Sequence, residues 1–181
     1  METWNCIPLN DGVMVLANAK RTLITFRKKL KVDIAEIMSK LEELGVPLAY
    51  ADDIEEIYFT YIGSGDCGDF YRGRIRLDCS ASSREEFVQT IIHELAHSVN
   101  EREFISIRDE VVKERKKYKY FLQATDRRNA KKNTSEYVSV GFELFYCGSK
   151  KDKRRLKRHS PKLYKVISQV HKKYRSRETK S

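Results

Sequence analysis

The chain has 181 residues, of which 40% are hydrophobic and 34% are charged, and its formal net charge is +10. This length and composition predict one globular domain and exclude a wholly disordered chain. No run of about 18 apolar residues is present, which excludes a membrane-spanning helix. The N-terminal residues lack the pattern of a secretory signal, so we expect a cytoplasmic or otherwise intracellular protein.

The first fifty residues are predicted to form N-terminal helices. Apolar residues recur at steps of three and four from Val13 to Leu44, a spacing typical of an amphipathic helix, here in two pieces. Gly45 and Pro47 then end the helical pattern, because glycine suits a left-handed cap and proline cannot continue a helix.

Two strands are predicted next, at Ile54–Ile62 and Phe70–Asp78, because both segments are rich in β-branched and aromatic residues. The glycine-rich loop Gly63–Gly68 lacks the GK[ST] ending of a phosphate-binding loop and is followed by a strand, so we interpret it as a mobile hairpin tip. The four cysteines are widely spaced and are predicted to be free thiols, with a Cys67–Cys79 disulfide as the alternative if this region folds back.

The second half of the sequence is predicted to be helical. Ser82 or Ser83, each followed three residues later by glutamate, predicts a capping box at the start of a helix. A charged helix at about Glu103–Gln123, a polar break at Thr125–Thr134 and an apolar helix at Ser135–Cys147 follow. Ser160 and Pro161 open a last helix, whose end at Arg175–Ser181 we expect to be frayed.

The C-terminal segment holds most of the positive charge. Residues 150–181 contain fourteen Lys or Arg and two acidic residues, a net charge of +12, which leaves −2 for residues 1–149. Such a segment is a candidate contact for nucleic acid or an acidic surface, although a solvated helix face is the plainer interpretation.

The capped helix carries the sequence His93-Glu94-Leu95-Ala96-His97, which matches the H-E-x-x-H pattern of zinc metallopeptidases. Residues four apart lie about 40° apart around a helix, so His93 and His97 can bind one Zn²⁺ ion. Glu94 lies about 100° from His93, where it can reach a water molecule and act as general base.

A catalytic zinc needs a third protein ligand and an open position. Glu101 lies about 12 Å along the axis from His93 and is too far away. His159 and His171 lie among basic residues, whose charge opposes a cation. The carboxylates of Glu136 and Glu143 remain as candidates.

The order of three segments resembles a known group of proteins. The HELAH helix after a strand, then Ser135–Phe142, and then Ser160–Ile167, is similar to the protease domain of anthrax lethal factor and to the Pro-Pro endopeptidases. These are gluzincins, in which a glutamate from a second helix completes the zinc site. The resemblance covers about Ile54–Ile167 and implies His93, His97 and Glu136 as zinc ligands, with Glu94 as general base.

This sequence departs from the group at two positions. Asn129 stands where members commonly have an oxyanion-stabilising tyrosine, seven residues before the ligand glutamate, and Val140 stands where a second acidic residue usually follows. Candidate oxyanion stabilisers are therefore Asn129, Tyr137 and His159.

The expected fold is α+β and zincin-like: mainly helical, with a small mixed sheet whose edge strand precedes the HExxH helix. We expect a single domain over residues 1–181, with the sheet, active-site helix and third-ligand helix in residues 54–147 and a basic C-terminal helix and tail in residues 150–181. The expected activity is zinc-dependent endopeptidase, in which an extended peptide or protein substrate pairs with the edge strand at Arg74, Ile75, Arg76 and Leu77.

Two other functions fit the sequence. One is a catalytically silent zincin-fold protein that binds nucleic acid or a protein partner through its basic C-terminal segment. The other is an intracellular regulatory protease that cleaves a repressor. A DNA-repair protease of the SprT kind fits less well, because no histidine follows HELAH at a suitable spacing.

Overall fold

The fold combines one mixed sheet with a set of helices. The computed structural model describes residues 4–10, 13–16, 21–26, 30–63, 67–81, 83–117 and 129–179. The strands are β1 (Cys6–Asn10), β2 (Val13–Leu16), β3 (Leu23–Phe26), β4 (Glu56–Thr60), β5 (Gly68–Tyr71) and β6 (Arg74–Asp78). The helices are α1 (Ile34–Glu43), α2 (Arg84–Glu103), α3 (Asp109–Lys117), α4 (Thr134–Tyr146), α5 (Lys150–His159) and α6 (Pro161–Glu178).

The expected α+β class with a mixed sheet is confirmed. The strand order is β1-β2-β3-β4-β6-β5, with parallel pairing of β3 with β4 and of β4 with β6, and antiparallel pairing elsewhere. One face of the sheet is buried at its central strands, where the fully buried side chains include Ile24, Ile57, Phe59, Ile75 and Leu77. None of the described helices is long and apolar enough to cross a lipid bilayer.

The helical prediction for the N-terminal residues is wrong in its first half. Residues 13–16 and 23–26 form strands β2 and β3, and among the described residues of 13–44 only those of α1 form an α-helix. In β3 the buried residue is Ile24, whereas Leu23, which the helical spacing placed in the core, is 40% exposed. Strands of four residues are too short to display their own period, so chance three- and four-residue spacings were mistaken for a helix.

The second predicted strand is also wrong as a single element, because a turn divides it into β5 and β6. Arg72 and Gly73 both have positive φ angles, 48° and 77°, as a two-residue type I′ hairpin requires. A Cβ atom at Gly73 would lie 2.9 Å from the Asp53 carbonyl oxygen, so the turn also needs a glycine there for space.

This hairpin overturns the expected edge strand. Arg74–Leu77 lies in β6, which pairs with β4 on one side and β5 on the other, so β5 is the strand at the edge. The Gly63–Gly68 loop leads from β4 to β5, which lie on opposite sides of β6, so it is not the tip of a hairpin; residues 64–66 lie outside the described part of the chain.

The other helical predictions hold with adjusted bounds. The capping box at the start of α2 is formed by Ser83 and Glu86, and the side chain of each accepts a hydrogen bond from the backbone N–H of the other. The predicted charged helix corresponds to α3 and begins later than expected, at Asp109. Residues 118–123 of that prediction and residues 125–128 of the predicted polar break lie outside the described part of the chain. The apolar helix is α4. None of the four cysteines forms a disulfide, so the predicted thiols are confirmed and the alternative Cys67–Cys79 bridge is not formed.

The C-terminal helix does not fray where we expected it to. Helix α6 continues to Glu178, whose carboxylate is 2% exposed and accepts a hydrogen bond from the backbone N–H of Ala49. Tyr174 is fully buried. Long-range contacts of this kind hold the last turns, and residues 180–181 lie outside the description.

A buried glutamate on α3 caps the start of α6. The two carboxylate oxygens of Glu114 accept hydrogen bonds from the backbone N–H groups of Lys162 and Leu163, both at 2.9 Å, and the residue is 5% exposed. The Ser160 side chain does not cap this helix; its oxygen accepts a bond from the Tyr137 hydroxyl instead. A negative charge at a helix N-terminus is favourable, so Glu114 ties α3 to α6.

We expect Glu114→Gln to lower the free energy of unfolding by about 1–3 kcal/mol, because an amide offers one acceptor atom to two backbone donors and has no charge. Urea unfolding followed by circular dichroism measures the change. Glu110→Gln, which removes an exposed carboxylate from the same helix, is the matched control. Equal midpoints for the two variants would contradict the capping role.

Candidate metal centre

Two histidines on α2 share one face of that helix. The Nε2 atoms of His93 and His97 are 3.3 Å apart, and their rings meet edge to face with centroids 5.0 Å apart. The capping box at Ser83 fixes where α2 starts. Its apolar side chains, including Ile91, Ile92 and Leu95, bury the helix, so the histidines are held on a rigid element.

Helix α4 brings a carboxylate to the same point. Glu136 lies in the first turn of α4, where the Asn133 side chain caps the helix by accepting a bond from the Glu136 backbone N–H. Its Oε2 atom lies 3.2 Å from His93 Nε2, and its Oε1 atom lies 3.5 Å from His97 Nε2. His93, His97 and Glu136 thus form a cluster of potential metal ligands.

The spacing of these atoms fits a small divalent ion. Zinc–ligand bonds of about 2.0–2.1 Å in tetrahedral geometry place neighbouring ligand atoms about 3.3 Å apart. The two Nε2 atoms are 3.3 Å apart, and each lies 3.2 or 3.5 Å from a different oxygen of the Glu136 carboxylate, so these separations are close to this value. Two imidazole nitrogens and one carboxylate oxygen are also a donor set that binds zinc in other proteins, with a fourth position left for water.

The opposite ring nitrogen of each histidine is bonded as well. His93 Nδ1 lies 2.6 Å from Glu143 Oε1, and Glu143 Oε2 accepts a second bond from the Gln89 side chain at 2.5 Å. His97 Nδ1 lies 3.0 Å from Ser135 Oγ, which also accepts from Asn100. Protons on both Nδ1 atoms satisfy these bonds, so when the rings are neutral both Nε2 lone pairs are directed at the cluster.

The structure separates the two glutamates that the sequence left as alternatives. Glu136 lies with the histidine Nε2 atoms, whereas Glu143, which is 4% exposed, lies behind His93 and bonds its Nδ1 atom. The two glutamates are seven residues apart, so they share one face of α4 two turns from each other. Gln89, which bonds Glu143, was not identified from the sequence. Its spacing of four residues from His93 on α2, which places both on one face, is the signal that could have indicated it.

Glu94 is buried beside the edge strand. It is 4% exposed, and a Cβ atom placed on Gly68 of β5 would lie 3.2 Å from its Oε1 atom and 2.7 Å from the Thr90 methyl. Glycine at position 68 therefore lets β5 lie close to the Glu94 carboxylate. Burial, reinforced by the charges of Glu136 and other carboxylates and opposed by His93, raises the pKa of Glu94 to about 7.

The pKa values of the clustered groups are shifted in different directions. Burial lowers the pKa of His93, but hydrogen bonds from its ring to Glu136 and Glu143 outweigh burial and raise the pKa to about 10. Burial and the charge on His93 lower the pKa of His97 to about 4, and the bond with His93 lowers the pKa of Glu136. A metal cation would compete with the proton for the His93 nitrogen.

Two of the candidate oxyanion stabilisers, Tyr137 and His159, are not among the clustered ligands. Tyr137 is fully buried and donates its hydroxyl hydrogen to Ser160 at 2.6 Å. His159 is the last residue of α5 and is not among the clustered ligands. Asn129 begins a short 3₁₀ turn, Asn129–Lys131, and its side chain lies outside the description.

No protein-family model matches the chain, and no curated protein matches it significantly.

We expect Glu143→Gln to weaken divalent-metal binding by about 10–100-fold, because the carboxylate orients His93 and makes its Nε2 atom a stronger donor. Competition between the protein and a chromophoric chelator, with Zn²⁺ as the probe metal, measures the affinity. Glu101→Gln on the exposed side of α2 is the matched control. An unchanged affinity in the Glu143 variant would refute the orienting role.

Proposed function

We propose that this chain is a zinc-dependent endopeptidase of the gluzincin type. The observation that carries the proposal is the convergence of His93, His97 and Glu136, at separations of 3.2–3.5 Å, with Glu94 one residue along α2 from His93. The order of an HExxH helix followed by a helix that supplies a glutamate also underlies the resemblance to the lethal factor protease domain and the Pro-Pro endopeptidases.

In this proposal His93, His97 and Glu136 hold one zinc ion. When bound, zinc lowers the pKa of a coordinated water towards 7 and polarises a carbonyl group. The outer bonds from Glu143 and Ser135 support this assignment, because they fix the tautomers in which both Nε2 atoms can act as ligands.

Glu94 serves as general base in the proposed reaction. Its carboxylate takes a proton from the attacking water and later gives it to the leaving amine. A pKa raised to about 7 by burial suits both steps at neutral pH, because the group can accept and release the proton with little cost. The carboxylate also lies beside β5, where a substrate backbone can be held.

The substrate is proposed to pair with β5, the edge strand next to α2. In an antiparallel ladder alternate residues bond the partner strand, and the Cys67 carbonyl accepts from the Asp78 N–H. The N–H and C=O groups of Gly68 and Phe70 are therefore directed to the open edge. An extended peptide can bind these groups as an added strand, with its scissile bond near Glu94.

We expect Glu94→Gln to retain zinc but to lose proteolysis, with kcat/KM at least about 10²-fold lower, because the amide cannot accept the proton from water. A peptide-library digest read by mass spectrometry identifies a cleaved peptide, on which both forms are then assayed. Glu101→Gln serves as the control for loss of a carboxylate on α2. Full activity in the Glu94 variant would refute the general-base role.

We expect Glu136→Ala to lose the metal, because two imidazoles alone bind zinc weakly. Metal content after gel filtration is the measurement, with about one zinc per chain expected for the parent protein and well below that for the variant. Thermal unfolding of the metal-free forms checks that both are folded. Full zinc occupancy in the Glu136 variant would contradict the ligand set.

A further inference from the structure

Helix α5 presents a dense set of positive charges that the proposed active site does not use. It is ten residues long, and Leu156 is its only buried residue. Its seven cations, here called the basic face of α5, are Lys150, Lys151, Lys153, Arg154, Arg155, Lys157 and Arg158.

The orientation of α5 about its own axis directs these charges outwards. At about 100° per residue, the seven cations span a continuous arc of about 200°, while Asp152 and His159 lie on the same side as Leu156. Leu156 packs into the core against the neighbouring helices α4 and α6. The arc of charge therefore lies on the outer side of a helix that is fixed to the body.

The charges of this arc are not neutralised within the described structure. None of the seven cations forms an ion pair with a described carboxylate. The only acid on the helix, Asp152, is engaged in a capping box with Ser149. Like charges this close repel one another, so binding of an external anion here is electrostatically favourable.

We propose that the basic face of α5 binds the phosphate backbone of duplex DNA. The helix is about 15 Å long and about 10–12 Å wide, and the major groove of B-form DNA is about 12 Å wide. Lys153 and Arg155 lie on opposite flanks of the arc, so the two flanks can reach phosphates on both strands. Phosphate oxygens accept hydrogen bonds from these cations at every DNA sequence, so backbone binding of this kind has little sequence preference.

The composition of the face favours DNA over a protein or a membrane as the partner. A protein interface of ordinary strength is anchored by buried aromatic or aliphatic side chains, and the large exposed apolar residues of the described chain include none on α5. A helix that binds membranes needs an apolar face towards the lipid, and the single apolar residue of α5 faces the core.

The test uses the full chain and a fluorescein-labelled 20-base-pair duplex of mixed sequence, with fluorescence anisotropy at several salt concentrations. The variant replaces Lys150, Lys151 and Lys153 by glutamine. It is expected to fold, because loss of positive charge from a helix N-terminus is favourable. The control replaces Lys31, Lys40 and Lys113 by glutamine, which removes the same charge from elsewhere.

We expect the parent chain to bind the duplex with a steep salt dependence. The α5 variant should bind at least about tenfold more weakly at 50 mM salt, and its slope of log affinity against log salt should be shallower by about two to three. The control should keep the parent slope. Equal losses in both triple variants, or no duplex binding by the parent, would overturn the proposal.

Two further arms test the identity of the anion. Binding to a single strand of equal length as tight as to the duplex would contradict the groove geometry. Binding to vesicles of phosphatidylserine and phosphatidylcholine as tight as to the duplex would contradict the assignment to nucleic acid. Weaker binding to both supports it.

Discussion

The packing of α2 against α4 is the contact on which the candidate site depends. It places Glu136 within 3.5 Å of two histidine nitrogens that lie about forty residues earlier in the chain. It also collects the carboxylates of Glu94, Glu136 and Glu143 in one largely buried region. Buried carboxylates of like sign are costly unless they are compensated. Here a proton on His93 and the raised pKa of Glu94 reduce the cost, and a divalent cation at the proposed site would offset it further.

The helices after α4 keep that contact in place. Tyr137, one residue after the candidate ligand Glu136, bonds Ser160 at the start of α6, and Glu114 of α3 caps the same end of α6. Farther along, the Tyr146 hydroxyl lies within hydrogen-bond distance of both Tyr50 and His171. Helix α4 is thus held by contacts other than those with α2, and a ligand group on it loses little freedom when it binds.

The sequence was sufficient for the local part of the site and insufficient for the sheet. The capping box and the four-residue spacing in His93–His97 are short-range patterns, and α2 follows from them directly. The edge strand is not a local property: β5 comes before β6 in the chain but lies outside it, and only the turn at Arg72 and Gly73 shows this. Glu143 was a candidate ligand because spacing along α4 cannot tell which ring nitrogen a carboxylate meets.

The basic C-terminal segment is part of the folded body, and this changes what its charge can do. Apolar residues of α6 such as Leu163 and Ile167 are fully buried, and Glu178 bonds the turn at Ala49. Helix α5 is fixed by its own capping box and by Leu156. A disordered tail of equal charge would have to lose conformational freedom on binding, whereas these charges are already held in position. The positive charge of residues 150–179 therefore belongs to a preorganised surface.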